Sequence, residues 1–319
     1  LGRVSRMRQR EQAGLRIAID VAAACAAGRA VVALETSIVA HGLPRPDNVA
    51  VGREMVAAVA AAGAVPALTA VTAGDLRVGL DDAALVRLAG DPPAAKAAAR
   101  DLARLAVDGG WGGTTVSGTL ALAAAAGIPV MATGGIGGVH RGAAASFDVS
   151  ADLDALARTP AVVVCAGAKS ILDLAATLEW LESRAVPVLG WGTTRFPAFY
   201  AADSGLTVPR IDDVVRLAAF ARTHWALGGG GVVVARPPPT PLDPSEVEAW
   251  SEAAHARAAA EGVSGPAVTP FVLGEMARLS GGRTVAANRD LVLANARLAA
   301  ELASHLVPSL EPAAPQAYS

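Results

Sequence analysis

The chain has 319 residues, of which 53% are hydrophobic, 18% charged and 4% aromatic, with a formal net charge of −2. That apolar share excludes a disordered chain and can fill the core of one large α/β domain or two smaller ones. Scarce aromatics, near-neutral charge and no basic block beyond Arg3, Arg6, Arg8 and Arg10 exclude a nucleic-acid groove.

Residues 1–16 have no long apolar core and are expected to be a flexible leader. A strand over 30–34 is followed by a helix over 48–62, a strand over 67–72 and helices over 82–88 and 119–126. Strands over 128–133, 161–166, 187–191 and 231–235 then alternate with helices over 151–157, 170–183 and 214–227. Such alternation predicts βαβ units and a largely parallel sheet with helices on both faces. A stiff connector with Pro237, Pro238 and Pro239 leads to helices over 245–261 and 288–306, which are too short for a separate domain. Residues 17–307 are therefore expected to form a single domain, and 308–319 a flexible tail. The run 112–139 carries no formal charge and is long enough to span a bilayer, but Pro129 and five glycines after Ala126 favour a buried helix, strand and loop. No membrane association is expected. Cys25 and Cys165 offer neither a disulfide framework nor metal-type spacing, which suits a reducing cytoplasm.

Only two lysines occur, Lys96 and Lys169, within 27 Lys plus Arg. Arginine supplies charge everywhere else, yet only a lysine can lose its proton and attack a carbonyl. Lys169 follows the apolar run Val162-Val163-Val164-Cys165-Ala166-Gly167-Ala168, and is expected at a helix start, where the macrodipole and burial both favour the neutral amine. A simple surface lysine is the alternative. Glu35 ends the strand Val31-Val32-Ala33-Leu34; a carboxyl there is either a proton donor with a raised pKa or a structural group bonded to loop amides. The loop from Thr133 through Gly134, Gly135, Gly137 and Gly138 to His140 and Arg141 offers amides and one fixed charge to a phosphate, without the spacing for ATP or NAD. Asp148, Ser150 and Asp152 alternate along an extended segment. Asp148 can ligate a hard divalent ion, while Ser150 is also a natural helix N-cap.

The strings ATGGIGGVHRGA, FDVSADL and VVCAGAKSILDL, in this order, resemble the pseudouridine-5′-phosphate glycosidase family, also called pseudouridylate synthase or indigoidine-synthase-A-like. The similarity runs from about Ala30 to about Leu302. It implies a three-layer α/β/α fold, a homotrimer, one Mn²⁺ per subunit and a lyase-class enzyme. The implied reaction converts pseudouridine 5′-phosphate and water reversibly to ribose 5-phosphate and uracil. By family position Lys169 is the imine-forming nucleophile, Glu35 the proton donor and Asp148 the metal ligand. Lys96, Val116 through its backbone, Thr133, Ser150, Ala151 and Asp152 would touch substrate. Asn288 would lie near the uracil, with a helix N-cap as its other reading. Glu35-Thr36-Ser37 stands where the family commonly has Glu-Ser-Thr, and Asp91-Pro92-Pro93 before Lys96 has no counterpart in the pattern. A Schiff-base aldolase or other sugar-phosphate lyase would use a similar lysine and loop; a non-enzymatic phosphosugar-binding protein would need neither Lys169 nor Glu35.

Overall fold

The structure, a computed structural model, describes residues 14–263 and 265–307. Its elements are β1 (Leu15–Ile17), α1 (Ile19–Ala26), β2 (Val31–Leu34), α2 (Asp47–Ala61), β3 (Val65–Thr72), β4 (Asp75–Val78) and α3 (Asp82–Leu88). Then come β5 (Ala95–Ala97), α4 (Leu102–Val107), β6 (Gly112–Thr114), α5 (Val116–Ala126), β7 (Val130–Ala132), β8 (Val139–His140), α6 (Ala143–Ser146) and α7 (Ala151–Arg158). Beyond these lie β9 (Val162–Cys165), β10 (Leu172–Asp173), α8 (Leu174–Ser183), β11 (Val188–Trp191), β12 (Arg210–Ile211), α9 (Val214–Ala226) and β13 (Val232–Ala235). The last helices are α10 (Pro244–Ala260), α11 (Val268–Leu279) and α12 (Arg283–Leu306).

The main sheet runs β1-β4-β3-β2-β7-β9-β13-β11-β12, with β6 also on β3 and β5 on β6. From β3 to β12 every neighbouring pair is parallel; β4 and β6 join β3 antiparallel. Strands covered on both faces read as unbroken apolar runs rather than alternating ones, as VVAL, VVVC and VVVA do, all fully buried. On one face α12 crosses β2, β7 and β9 and packs between α2 and α9; on the other α5 lies over β2, β3 and β7 against α7. The expected three-layer α/β/α architecture, with a mostly parallel sheet and helices on both faces, is the one observed.

Several expected boundaries move. Leu15 and Arg16, placed in the leader, belong to β1, which pairs parallel with β4 through Leu15 and Leu76. Residues 1–13 of the leader, and the tail over 308–319, lie outside the described residues. The helix expected over 170–183 starts only at Leu174, because Leu172 and Asp173 first pair antiparallel with His140 and Val139. Asp173 then caps the helix by accepting from the Ala176 N–H. The last helix opens at Arg283, so Asn288 lies inside it and is not its cap. The uncharged run 112–139 resolves into β6, α5, β7 and a loop, and among the described residues no helix is long and apolar enough to cross a membrane.

Candidate active site

Glu35, Thr133 and Lys169 follow the carboxyl ends of β2, β7 and β9, three adjacent parallel strands. From β2 the chain continues to β3 on one side, and from β7 to β9 on the other. The gap between β2 and β7 is thus the switch point where open α/β sheets form their ligand crevice. A hydrogen bond spans it: the Thr133 hydroxyl donates to Glu35 Oε1, while the Ser37 hydroxyl donates to Oε2 at 2.6 Å. Glu35 is 4% exposed. Burial raises its pKa; the nearby Lys169 charge and the two hydroxyls pull it partly back. The carboxyl is thus held by side-chain hydroxyls rather than by loop amides, and burial makes it keep a proton more readily than an exposed carboxylate. Behind it Thr36, Thr69, Thr114 and Thr119 form a buried hydroxyl cluster that fixes the loop; Thr36 Oγ1 donates to the Thr69 carbonyl at 2.6 Å.

A cleft of about 510 Å³ brings Glu35, Lys96, Lys169 and Asn288 together. Lys169 sits in a turn five residues before α8, so the helix macrodipole invoked for it is not at hand; the β8–β10 pairing intervenes. Its backbone N–H donates to the Ile136 carbonyl at 3.1 Å, tying it to the glycine loop. Lys96 enters on β5, paired with Gly113 of β6. Burial lowers its pKa, and the charge of Lys169 lowers it further against the pull of Asp152, Glu35 and Asp148. Upstream, Arg45 holds Asp91 at 2.8 Å, which anchors the Asp91-Pro92-Pro93 segment.

The other expected site residues stand outside this cleft. Asp152, 5% exposed, accepts from the Ser117 N–H at 2.8 Å and the Gly137 N–H at 2.9 Å, and so clamps the glycine loop to the start of α5. Ser150 caps α7, accepting from the Asp152 N–H at 3.3 Å, and Ala151 opens that helix. Val116 opens α5, where first-turn amides have no intrahelical acceptor. Thr133, expected to touch substrate, directs its hydroxyl at Glu35 instead.

The glycines answer chiefly to packing. A Cβ on Gly137 would meet Ser150 Oγ at 2.2 Å, and one on Gly138 would meet Thr177 Oγ1 at 2.3 Å. Arg141 does not supply the loop's charge: it forms a bidentate pair with Glu248 at 2.6 and 2.8 Å on a separate surface.

Asp148 is 49% exposed, with His140 Nδ1 at 3.8 Å from its Oδ2. Among the described residues no group of three His, Cys, Asp or Glu side chains could hold a metal ion. The donor set, one accessible carboxylate with its partners elsewhere, fits a hard ion that keeps most of its waters and does not fit a closed protein cage.

Residues without an assigned role also line the cleft: His41 on a single π-helical turn (Ile38–Gly42), Phe199, and Thr269, Pro270 and Leu273 of α11. Helix α11 escaped the sequence reading altogether. His41 stands six residues after Glu35 in the sequence, and that nearness was the only available signal.

Residues 20–305 match the family described as Indigoidine synthase A like protein. A pseudouridine-5′-phosphate glycosidase of Chloroflexus aurantiacus is 52% identical over 297 residues, covering 91% of this chain and 97% of that protein. One from Roseiflexus sp. is 51% identical over 303 residues, covering 93% and 97%. Among solved structures, the prealnumycin C-glycosynthase AlnA in complex with ribulose 5-phosphate superposes with a TM-score of 0.84 at 39% identity, covering 92% of this chain and 97% of that one. An indigoidine synthase A-like protein of Thermotoga maritima gives 0.84 at 32% identity, covering 92% and 96%.

Proposed function

The chain belongs to the indigoidine synthase A-like family, and from that membership we propose that it is an enzyme cleaving the C–C glycosidic bond of pseudouridine 5′-phosphate with water, giving ribose 5-phosphate and uracil reversibly. The observation that carries this reading is the meeting of Glu35 and Lys169 in one cleft at the switch point of the sheet. Its relatives at about half identity are named for this activity.

The scissile bond joins two carbons, so protonating a nitrogen leaving group is not available. Lys169 Nζ bonds to C1′ as the ring oxygen O4′ departs and takes up a proton. Glu35 delivers its proton to C5 of the uracil. The C1′–C5 pair then returns to the base, and the Nζ lone pair closes an imine at C1′. Water hydrolyses that imine, releasing ribose 5-phosphate and the free lysine. A carboxyl whose proton affinity is raised by burial suits the donor's part.

Lys96 and the Val116 N–H are assigned to substrate, one as a charge and the other as a helix-start amide. Ser150, Ala151 and Asp152 belong to the same assignment. Asp148 would hold Mn²⁺ through one carboxylate oxygen, and the bound ion would supply positive charge beside the phosphosugar. The homotrimer belongs to the same proposal; Phe147, 87% exposed, and Val149, 37% exposed, flank Asp148 as apolar surface for it. Cys25 and Cys165 are free thiols, as a cytoplasmic setting requires.

Uracil release from pseudouridine 5′-phosphate, with stoichiometric ribose 5-phosphate, tests the reaction. Cleavage within the sugar would indicate an aldolase-type lyase, and tight binding of ribose 5-phosphate without turnover a binding protein.

A further inference from the structure

Two polar atoms in the cleft wall are buried without a hydrogen-bond partner among the described residues, His41 Nε2 and Asn288 Oδ1. Both residues line the cleft holding Glu35, Lys96 and Lys169, and both also line the adjoining cavity of about 580 Å³. Buried polar atoms are almost always satisfied, so two orphans in one wall call for a ligand with matching donors. Asn288 is 4% exposed, and it comes from α12, while His41 comes from the turn after Glu35. We assign the ring proton to Nδ1, with the unpartnered Nε2 as the acceptor. This tautomer leaves Nε2 a lone pair and no proton. Burial lowers the ring's pKa, the Ala95 backbone raises it by less, and the Lys96 charge lowers it again, which favours the neutral form.

On the reading of the substrate as a C-linked uracil nucleotide, we propose that His41 is a base-specificity residue whose Nε2 accepts a hydrogen bond from a ring N–H of the uracil. A uracil joined through C5 keeps hydrogens on both N1 and N3, two donors flanking one carbonyl. Two unpartnered acceptors on separate elements of the wall match that pair. An N-linked uridine has no N1–H, and cytosine presents an acceptor at N3. Either would leave a buried acceptor unpaired, which is how a polar site rejects an analogue.

Steady-state kinetics of the wild type and His41→Phe on pseudouridine 5′-phosphate and its N1-methyl and N3-methyl derivatives test this, with borohydride trapping of ribose 5-phosphate as a readout without the base. The wild type should disfavour at least one methyl derivative by roughly 10- to 100-fold in kcat/KM, the loss expected for an unpaired buried group. His41→Phe should bring that preference close to unity while still forming the trapped adduct. A wild type that turns over the parent and both derivatives equally overturns the proposal, as does a His41→Phe enzyme with the wild-type preference. Should the phenylalanine variant not fold, His41→Ala carries the same ratio. Failure of the wild type to release any uracil would instead remove the reaction on which the proposal rests.

Discussion

Lys96 and Lys169, the only lysines of the chain, face the same cleft from β5 and from the turn after β9, and burial, then the charge of Lys169, hold the Lys96 pKa below the ordinary lysine value. A neighbouring positive charge makes it easier for Lys96 to give up its proton. Everywhere else in the chain arginine supplies the fixed positive charge.

Arginine therefore separates the two roles. Lys169→Arg keeps the charge but can form no imine, so turnover should fall by about three orders of magnitude or more, as for loss of other covalent catalysts. Lys96→Arg should weaken substrate binding and leave measurable turnover. Borohydride with ribose 5-phosphate should label Lys169, located by peptide mass spectrometry. Labelling at Lys96, or robust turnover by Lys169→Arg, would end the imine assignment.

The Glu35 proton sets a pH limb. Its folded pKa is raised by burial, so the acid form persists above the ordinary carboxylate range and is lost as pH rises through the raised value. The single-turnover cleavage rate should fall along that basic limb. Glu35→Gln should reduce the rate by about 10²- to 10⁴-fold and abolish the limb. Thr133→Val removes a hydroxyl that favours the ionised form, so the limb should move to higher pH. A shift to lower pH would contradict the bonding described.

Chelation should abolish activity and Mn²⁺ restore it, with Asp148→Asn losing the Mn²⁺-binding signal in electron paramagnetic resonance. Full activity in a verified metal-free preparation, or unchanged Mn²⁺ binding by Asp148→Asn, would remove the ion from the site.

Asp152→Asn tests the clamp. One amide oxygen cannot replace two carboxylate oxygens that receive the Ser117 and Gly137 amides. Denaturant unfolding should show a loss of about 1–3 kcal/mol, the cost of stranding a buried donor. Unchanged stability would mean that the loop and α5 are held together by packing alone.

The sheet was legible because VVAL, VVVC and VVVA are unbroken apolar runs of strand length, and each is a buried parallel strand. Glu35 and Lys169 were legible because they close two of those runs. The cause assigned to Lys169 was not: an antiparallel pair of two residues has no periodicity, so β10 was absorbed into the helix behind it. Asn288 was misplaced in the same way, since the extra turn from Arg283 follows a glycine and carries no capping side chain. The loop's glycines resembled a phosphate cradle in sequence, yet only the fold reveals that Ser150 and Thr177 occupy the space a Cβ would need.

Helix α11 lies against α10, α12 and the turn that carries His41, away from the strands that deliver Glu35 and Lys169. Glu35 and Lys169 on one side, and the α11 part of the cleft wall on the other, thus come from separate elements of the fold. For redesign this makes the leaving group a separable variable: a library confined to Thr269, Pro270 and Leu273 should alter which base is released while every folded member still forms the ribose 5-phosphate adduct at Lys169. Loss of the adduct throughout such a library would show that wall and chemistry are one unit after all.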